Sequence, residues 1–175
     1  DSVGAITKVE LIHGTNVTAL NNVTSHTISD LISNNDYTIK VTYTYDLNDG
    51  AGSKTIVQEF TAKTKAKATP DVAISNTGKT KDSLSFGISV TDADSVGAIT
   101  KVELLHATED TKVLTNSLTH SISELLSDNT YSLKVTYSYD LNDGEGIKEK
   151  TKAARAVLVF LLSADQPTVM EKLLV

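Results

Sequence analysis

The chain contains no cysteine and no tryptophan, two prolines and one methionine, and only 5% of its residues are aromatic. Without cysteine there is no disulfide framework, no thiol nucleophile and no cysteine-based zinc site. Arginine is nearly missing: Arg155 is alone among sixteen basic residues, the others being lysine. With a net charge of −6 the chain has no basic footprint for phosphates, so no nucleic-acid partner is expected. Long apolar runs are missing as well. The longest, Ala156 to Leu162, has seven residues, against the ~20 a membrane helix needs, so no membrane insertion is expected in this segment. Asp1-Ser2-Val3-Gly4 is neither an initiator region nor a signal peptide, and any export signal is expected outside this piece. No nucleophile with a base, phosphate loop or paired-carboxylate site is visible, so neither catalytic nor cofactor-binding residues are expected, and the chain reads as no enzyme.

What is present favours strands. Leu, Ile, Val and Phe supply 48 residues, enough for a buried core, and Thr and Ser supply 41. The segment Tyr131-Ser-Leu133-Lys-Val135-Thr-Tyr137-Ser-Tyr139 alternates apolar and polar residues strictly, as does its twin from Tyr37 to Tyr45. That period of two is the mark of a half-buried strand. Ser83 to Val90 alternates in the same way, and Asp71 to Ser75, Ile99 to Leu105, Leu118 to Ile122 and Lys54 to Lys63 read as further strands. Turn signals at Asn76-Thr-Gly78, Ser127-Asp-Asn129 and Asn142-Asp143-Gly144 separate them. Many short strands with no helical period predict an all-β sandwich.

Self-similarity organises the chain. DSVGAITKVEL stands at 1–11 and again, unchanged, at 94–104, a spacing of 93 residues. Residues 25–52 match 119–146 at a spacing of 94, so one residue is inserted between His106 and Thr119, as a hairpin loop tolerates. The expected division is a partial repeat at 1–67, a second repeat at 68–150 and a divergent tail at 151–175. Asp1 corresponds to Asp94, so the first copy is expected to lack its first two strands, and the chain reads as a slice of a longer tandem array.

These segments resemble the fibronectin type III, or Ig-like, fold. Its tyrosine corner has a Leu six residues before a Tyr that opens an alternating strand, matched by Leu125 with Tyr131 and by Leu31 with Tyr37. The passage Asp92 to Leu104, with inward residues at Ile99, Val102 and Leu104, is similar to that family's strand B to strand C passage. The family's strand B Trp is absent, with Ile88 near its place, and Val102 stands where strand C usually has an aromatic residue. The resemblance implies tandem β-sandwiches, the first truncated, followed by a short irregular or helical tail. The nearest flavour is the Thr/Lys/Asn-rich tandem repeat of bacterial cell-surface proteins. It implies an extracellular location, at the cell surface or secreted, and neighbouring repeats of the same chain as partners. The leading functional expectation is a non-catalytic structural spacer or stalk. Alternatives are an adhesion module for a host or matrix protein or glycan, and an accessory module of a secreted polysaccharide-active enzyme.

Two loops are expected to share one pole of such a sandwich. They carry Asp92, Asp94, Asp140, Asn142, Asp143 and Glu145, whose oxygens form a candidate calcium set. The competing reading is turn chemistry, because Asn-Asp-Gly suits a tight turn with positive φ. Four histidines fall in repeat-related pairs, His13 with His106 and His26 with His120, and read as hydrogen-bonded structural residues. Asn16-Val-Thr18 and Asn22-Val-Thr24 match a glycosylation pattern that a Thr- and Asn-rich strand also produces by chance. Lys63, Lys65 and Lys67 read as protection of a strand edge. After Gly146 the composition changes. Ala156 to Leu162 is expected either to close the sandwich as a strand or to form a short helix, and Thr168 to Val175 a short helix.

Overall fold

The computed structural model describes residues 3–159, in which eleven strands form three sheets and there is no helix. The expected helix at 168–175 lies outside the described residues. By contacts the chain divides into two units. Among the described residues, one holds 3–69 with 140–147 and the other 70–139 with 148–159.

The second unit is a two-layered sandwich. One sheet has the order β11-β10-β7-β8 and the other β5-β6-β9. The elements are β5 (Asp71–Lys79), β6 (Leu84–Thr91), β7 (Gly97–His106), β8 (Lys112–Leu114), β9 (Thr119–Ile122), β10 (Thr130–Tyr139) and β11 (Lys148–Val157). Alternation decides what meets between the layers: Leu133, Val135 and Tyr137 of β10 and Val102 and Leu104 of β7 face Val72, Leu84, Phe86, Ile88 and Ile122. Leu84, Val102, Leu133 and Val135 are 0% exposed. Each such burial contributes about 1.5–3 kcal/mol.

The first unit repeats only one of these layers. Its strands β1 (Gly4–His13), β2 (Asn16–Leu20), β3 (Asp36–Tyr45) and β4 (Lys54–Lys63) form one antiparallel sheet in the order β2-β1-β3-β4. This is the layer of β7, β8, β10 and β11. Register follows the repeat closely: Tyr45 pairs with Lys54 as Tyr139 pairs with Lys148, and Tyr37 with Ala62 as Tyr131 with Ala156. Both copies also interrupt the ladder at the same point, between Ile6 and Lys8 and between Ile99 and Lys101. The bulged Thr7 and Thr100 bond outward to Thr44 and Ser138. The inserted residue sits in the second hairpin, since Val9 opposes Leu20 whereas Val102 opposes Leu114.

Two results depart from the sequence expectation. The repeat predicts a strand at residues 25–28, the counterparts of β9, yet these form none. The reason is backbone pairing. β9 has a single partner, β6, in the register Leu84↔Ile122 to Gly87↔Thr119, and unit one has no counterpart of β6 among its described residues. The second departure is in the tail. Residues 148–158 share little sequence with 54–64 but occupy the same places. The Leu158 N–H donates to Asn129 O at 2.9 Å just as the Thr64 N–H donates to Asn35 O at 2.9 Å. Strand β11 therefore runs across residue 150, and Ala156 and Leu158 close the core as buried side chains. Hairpin length and ladder pairing hold a strand in place even where side chains change.

Phe86 fills the centre of the second unit at 1% exposure. Phe86→Ala is expected to lower that unit's stability by about 3–5 kcal/mol, read as an earlier urea midpoint. Gly97 approaches β10 so closely that a Cβ would stand 2.6 Å from the Tyr137 ring. Gly97→Ala is expected to cost about 1–3 kcal/mol in the same melt.

Candidate functional site

Tyr131 and Tyr37 each peg the chain that leads into their strand. Tyr131 is 1% exposed, and its hydroxyl accepts a hydrogen bond from the Leu126 N–H at 2.9 Å. In the first copy the Tyr37 hydroxyl accepts from the Ile32 N–H, also at 2.9 Å. Each bond pins the chain just after the paired leucine. Leu125 packs against the core, and its N–H donates to Asp82 O at 2.9 Å. Leu31 instead lines an open apolar groove.

Histidine completes each peg. His106 stacks on Tyr131 with ring centroids 4.7 Å apart, and His13 stacks on Tyr37 at 4.5 Å. The outer nitrogens are held too: His106 Nε2 lies 3.0 Å from Asn129 Oδ1, and His13 Nε2 3.2 Å from Asn35 Oδ1. Sequence reasoning treated these histidines apart from the tyrosines. The available signal was that His, Asn and Tyr recur together in both copies.

Asp92 organises the loop between β6 and β7. Its Oδ2 accepts from the Tyr137 hydroxyl at 2.7 Å and from the Gly97 N–H at 3.0 Å, and its Oδ1 accepts from the Val96 N–H at 3.0 Å. Ser95 turns the loop at φ 51°. The carboxylate thus clamps the loop to strand β10. The Tyr137 hydroxyl bond, with the loop amides behind it, holds the Asp92 carboxyl below its usual range. Burial, and then the Asp92 carboxylate, push the Tyr137 phenol up to about 12.

Asp140 and Asp143 each cap a turn of the next loop. Asp140 Oδ1 accepts from the Asn142 N–H at 2.7 Å, and Asp143 Oδ1 from the Glu145 N–H at 3.1 Å. Asn142, Gly144 and Gly146 take φ values of 50°, 87° and 79°, the left-handed conformations the loop requires. The Asn142 side-chain amide donates to Leu31 O at 3.1 Å. Among the described residues no group of three or more His, Asp or Glu is arranged to hold a metal ion.

A sandwich with a three-strand sheet facing a four-strand sheet, joined through a tyrosine corner, is of the fibronectin type III or Ig-like class. No family model matches the chain, and no curated protein matches its sequence. Among solved structures it is similar to the crystal structure of the FN1–FN3 domains of chicken CNTN1, at 12% identity and a TM-score of 0.32. That match covers 91% of this chain and 57% of the other, so the chain spans little more than half of its structural neighbour.

The Asp92–Tyr137 pair makes stability depend on pH in two windows. Tyr137 is raised on folding from 10.0 to about 12, so its contribution is complete below pH 10 and lost as pH rises towards 12. Asp92 is lowered on folding, so its contribution is present above the ordinary carboxylate value and lost as pH falls through the depressed one. Tyr137→Phe is expected to lack this alkaline loss, so the stability difference between wild type and variant narrows as pH rises from 10 towards 12. Urea melts from pH 8 to 12 would reveal it, and parallel curves for the two proteins would contradict the assignment.

Proposed function

We propose that the chain is a non-catalytic structural repeat, a spacer or stalk within an extracellular or surface-attached protein. The observation that supports this reading is the duplication itself. Two copies reuse one sheet with the same register, the same bulge and the same tyrosine peg, so the architecture is kept while loop and tail sequences vary. A chain under selection for a reactive site would be expected to single out one copy. Here both copies spend their tyrosines on one core strand each, Tyr131 and Tyr137 being buried. Adhesion to a glycan would call for exposed rings, and the exposed Phe60 belongs to an apolar sheet face rather than to a loop. Bacterial origin belongs to this proposal too, and rests on the Thr/Lys/Asn-rich flavour of the repeats.

The gene around these residues tests the reading. Further copies and a surface anchor are expected, together with antibody labelling of the second unit on intact, unpermeabilised cells. A catalytic domain beside the repeats would move the chain to the accessory-module reading, and labelling of permeabilised cells alone would refute a surface stalk. In the same proposal the acidic loops shape turns rather than hold calcium, since Asp92, Asp140 and Asp143 already accept loop amides. The thermal midpoint is therefore expected to be the same in millimolar calcium and in chelator. A higher midpoint with calcium would assign the six oxygen-bearing residues as ligands after all.

A further inference from the structure

The hairpin between β7 and β8 is where the second copy departs from the first. In the first copy the ladder runs to His13↔Asn16, leaving Gly14 and Thr15 as the whole turn. In the second the ladder stops at Leu104↔Lys112, and residues 107–111 form a loop between the strands. That loop folds back over the His106 ring. The Glu109 N–H lies 3.2 Å from His106 Nδ1 and the Thr108 N–H 3.5 Å, with Thr108 Oγ1 at 3.4 Å.

The other side of the ring fixes which nitrogen carries the hydrogen. Asn129 Nδ2 donates to Ser127 O at 2.9 Å, which turns Asn129 Oδ1 towards His106 Nε2 at 3.0 Å. A carboxamide oxygen only accepts, so Nε2 bears the hydrogen and Nδ1 of the neutral ring is an acceptor. This is the form that the two loop amides require, because a backbone N–H only donates.

The groups around the ring decide what a second proton does. From β10, Tyr131 stacks on it at 4.7 Å, an aromatic face that also suits a cation. From the corner before β10, Asn129 accepts from Nε2 in either form. From the hairpin, Glu109 Oε2 stands 3.9 Å from Nδ1 on a side chain that is 49% exposed. Asp110 of the loop and Asp128 of the corner are negative as well, and β8 brings Lys112 opposite Leu104. A proton on Nδ1 therefore leaves the ring seated on its tyrosine. What changes is that Nδ1 becomes a donor facing two donors, with a carboxylate beside it.

We propose that His106 is a pH-sensitive latch on the β7–β8 hairpin. The neutral ring holds the loop through the Thr108 and Glu109 amides. The imidazolium, formed by one proton from solvent, releases those amides and is met by the Glu109 carboxylate instead. The loop 107–111 thus takes two arrangements, one on each side of the histidine titration. The latch belongs to the longer hairpin. His13 stacks on Tyr37 and lies against Asn35 Oδ1 in the same way, but a turn of Gly14 and Thr15 is too short to fold back over the ring.

Nitrogen-15 NMR of the full labelled chain between pH 8 and pH 5 tests this, a range that holds the ordinary histidine titration and stays above carboxylate values of about 4. At pH 8 the His106 ring is expected to carry hydrogen on Nε2 and none on Nδ1. On acidification the Thr108 and Glu109 amides follow the His106 curve, and their protection from hydrogen exchange falls about fivefold or more. Gly14 and Thr15 do not follow His13. In Glu109→Gln the loop amides still follow His106, but its midpoint moves to lower pH because the imidazolium has lost its carboxylate. Hydrogen on Nδ1 at pH 8, loop amides that ignore the His106 curve, or a midpoint that Glu109→Gln leaves unchanged or raises would each overturn the latch. Gly14 and Thr15 following His13 to the same extent would overturn its assignment to the longer hairpin.

Discussion

A strand needs a backbone partner, and in this protein one pairing carries the consequence furthest. β6 holds β9 by a four-residue ladder, and together with β5 they form the layer that turns a sheet into a sandwich. With that layer the second unit buries Phe86, Leu133, Val135 and their neighbours. In the unit without it, Val9 and Tyr37 are the only buried hydrophobic side chains among the described residues. Near-identical sequence therefore gives two burial outcomes, because burial belongs to both layers and not to either alone.

The tyrosine peg explains how the remaining sheet keeps its form in both settings. It is a local device: a hydroxyl reaching a backbone N–H five residues earlier, a histidine stacked on the ring, and an asparagine holding that histidine. None of these partners comes from the β5-β6-β9 layer, so the peg survives where that layer is missing. The Asp92 clamp is of the opposite kind. It joins the loop after β6 to strand β10, and so exists only where both layers do. Its carboxylate looked from sequence like one of several converging metal ligands. Its oxygens meet a phenol and two amides, which is how a buried ring end and a tight loop satisfy each other.

Much of the fold was legible because period-two alternation and exact repetition are strong signals. Tyr131 to Tyr139 reads as a strand from the pattern alone, and the repeat spacing carries the same reading to Tyr37 to Tyr45. The acidic candidates were legible as loop residues but not as partners, since which atom a carboxylate meets depends on the distance between segments far apart in the chain. The His–Tyr stacks were hidden for the same reason: His106 and Tyr131 stand on neighbouring strands, and only the register of β7 against β10 brings them opposite each other.

The sequence by itself determined the strand-forming alternation, the turn positions at residues such as Asn142 and Gly144, the duplication and the place of its one-residue insertion. These are local properties, set by side-chain parity and backbone conformation. Only the tertiary structure decided that residues 119–122 form a strand while 25–28 do not, and that a tail unlike its counterpart still closes the second sandwich. Both outcomes rest on which backbone edge is available for pairing, and that edge is supplied by residues distant in sequence.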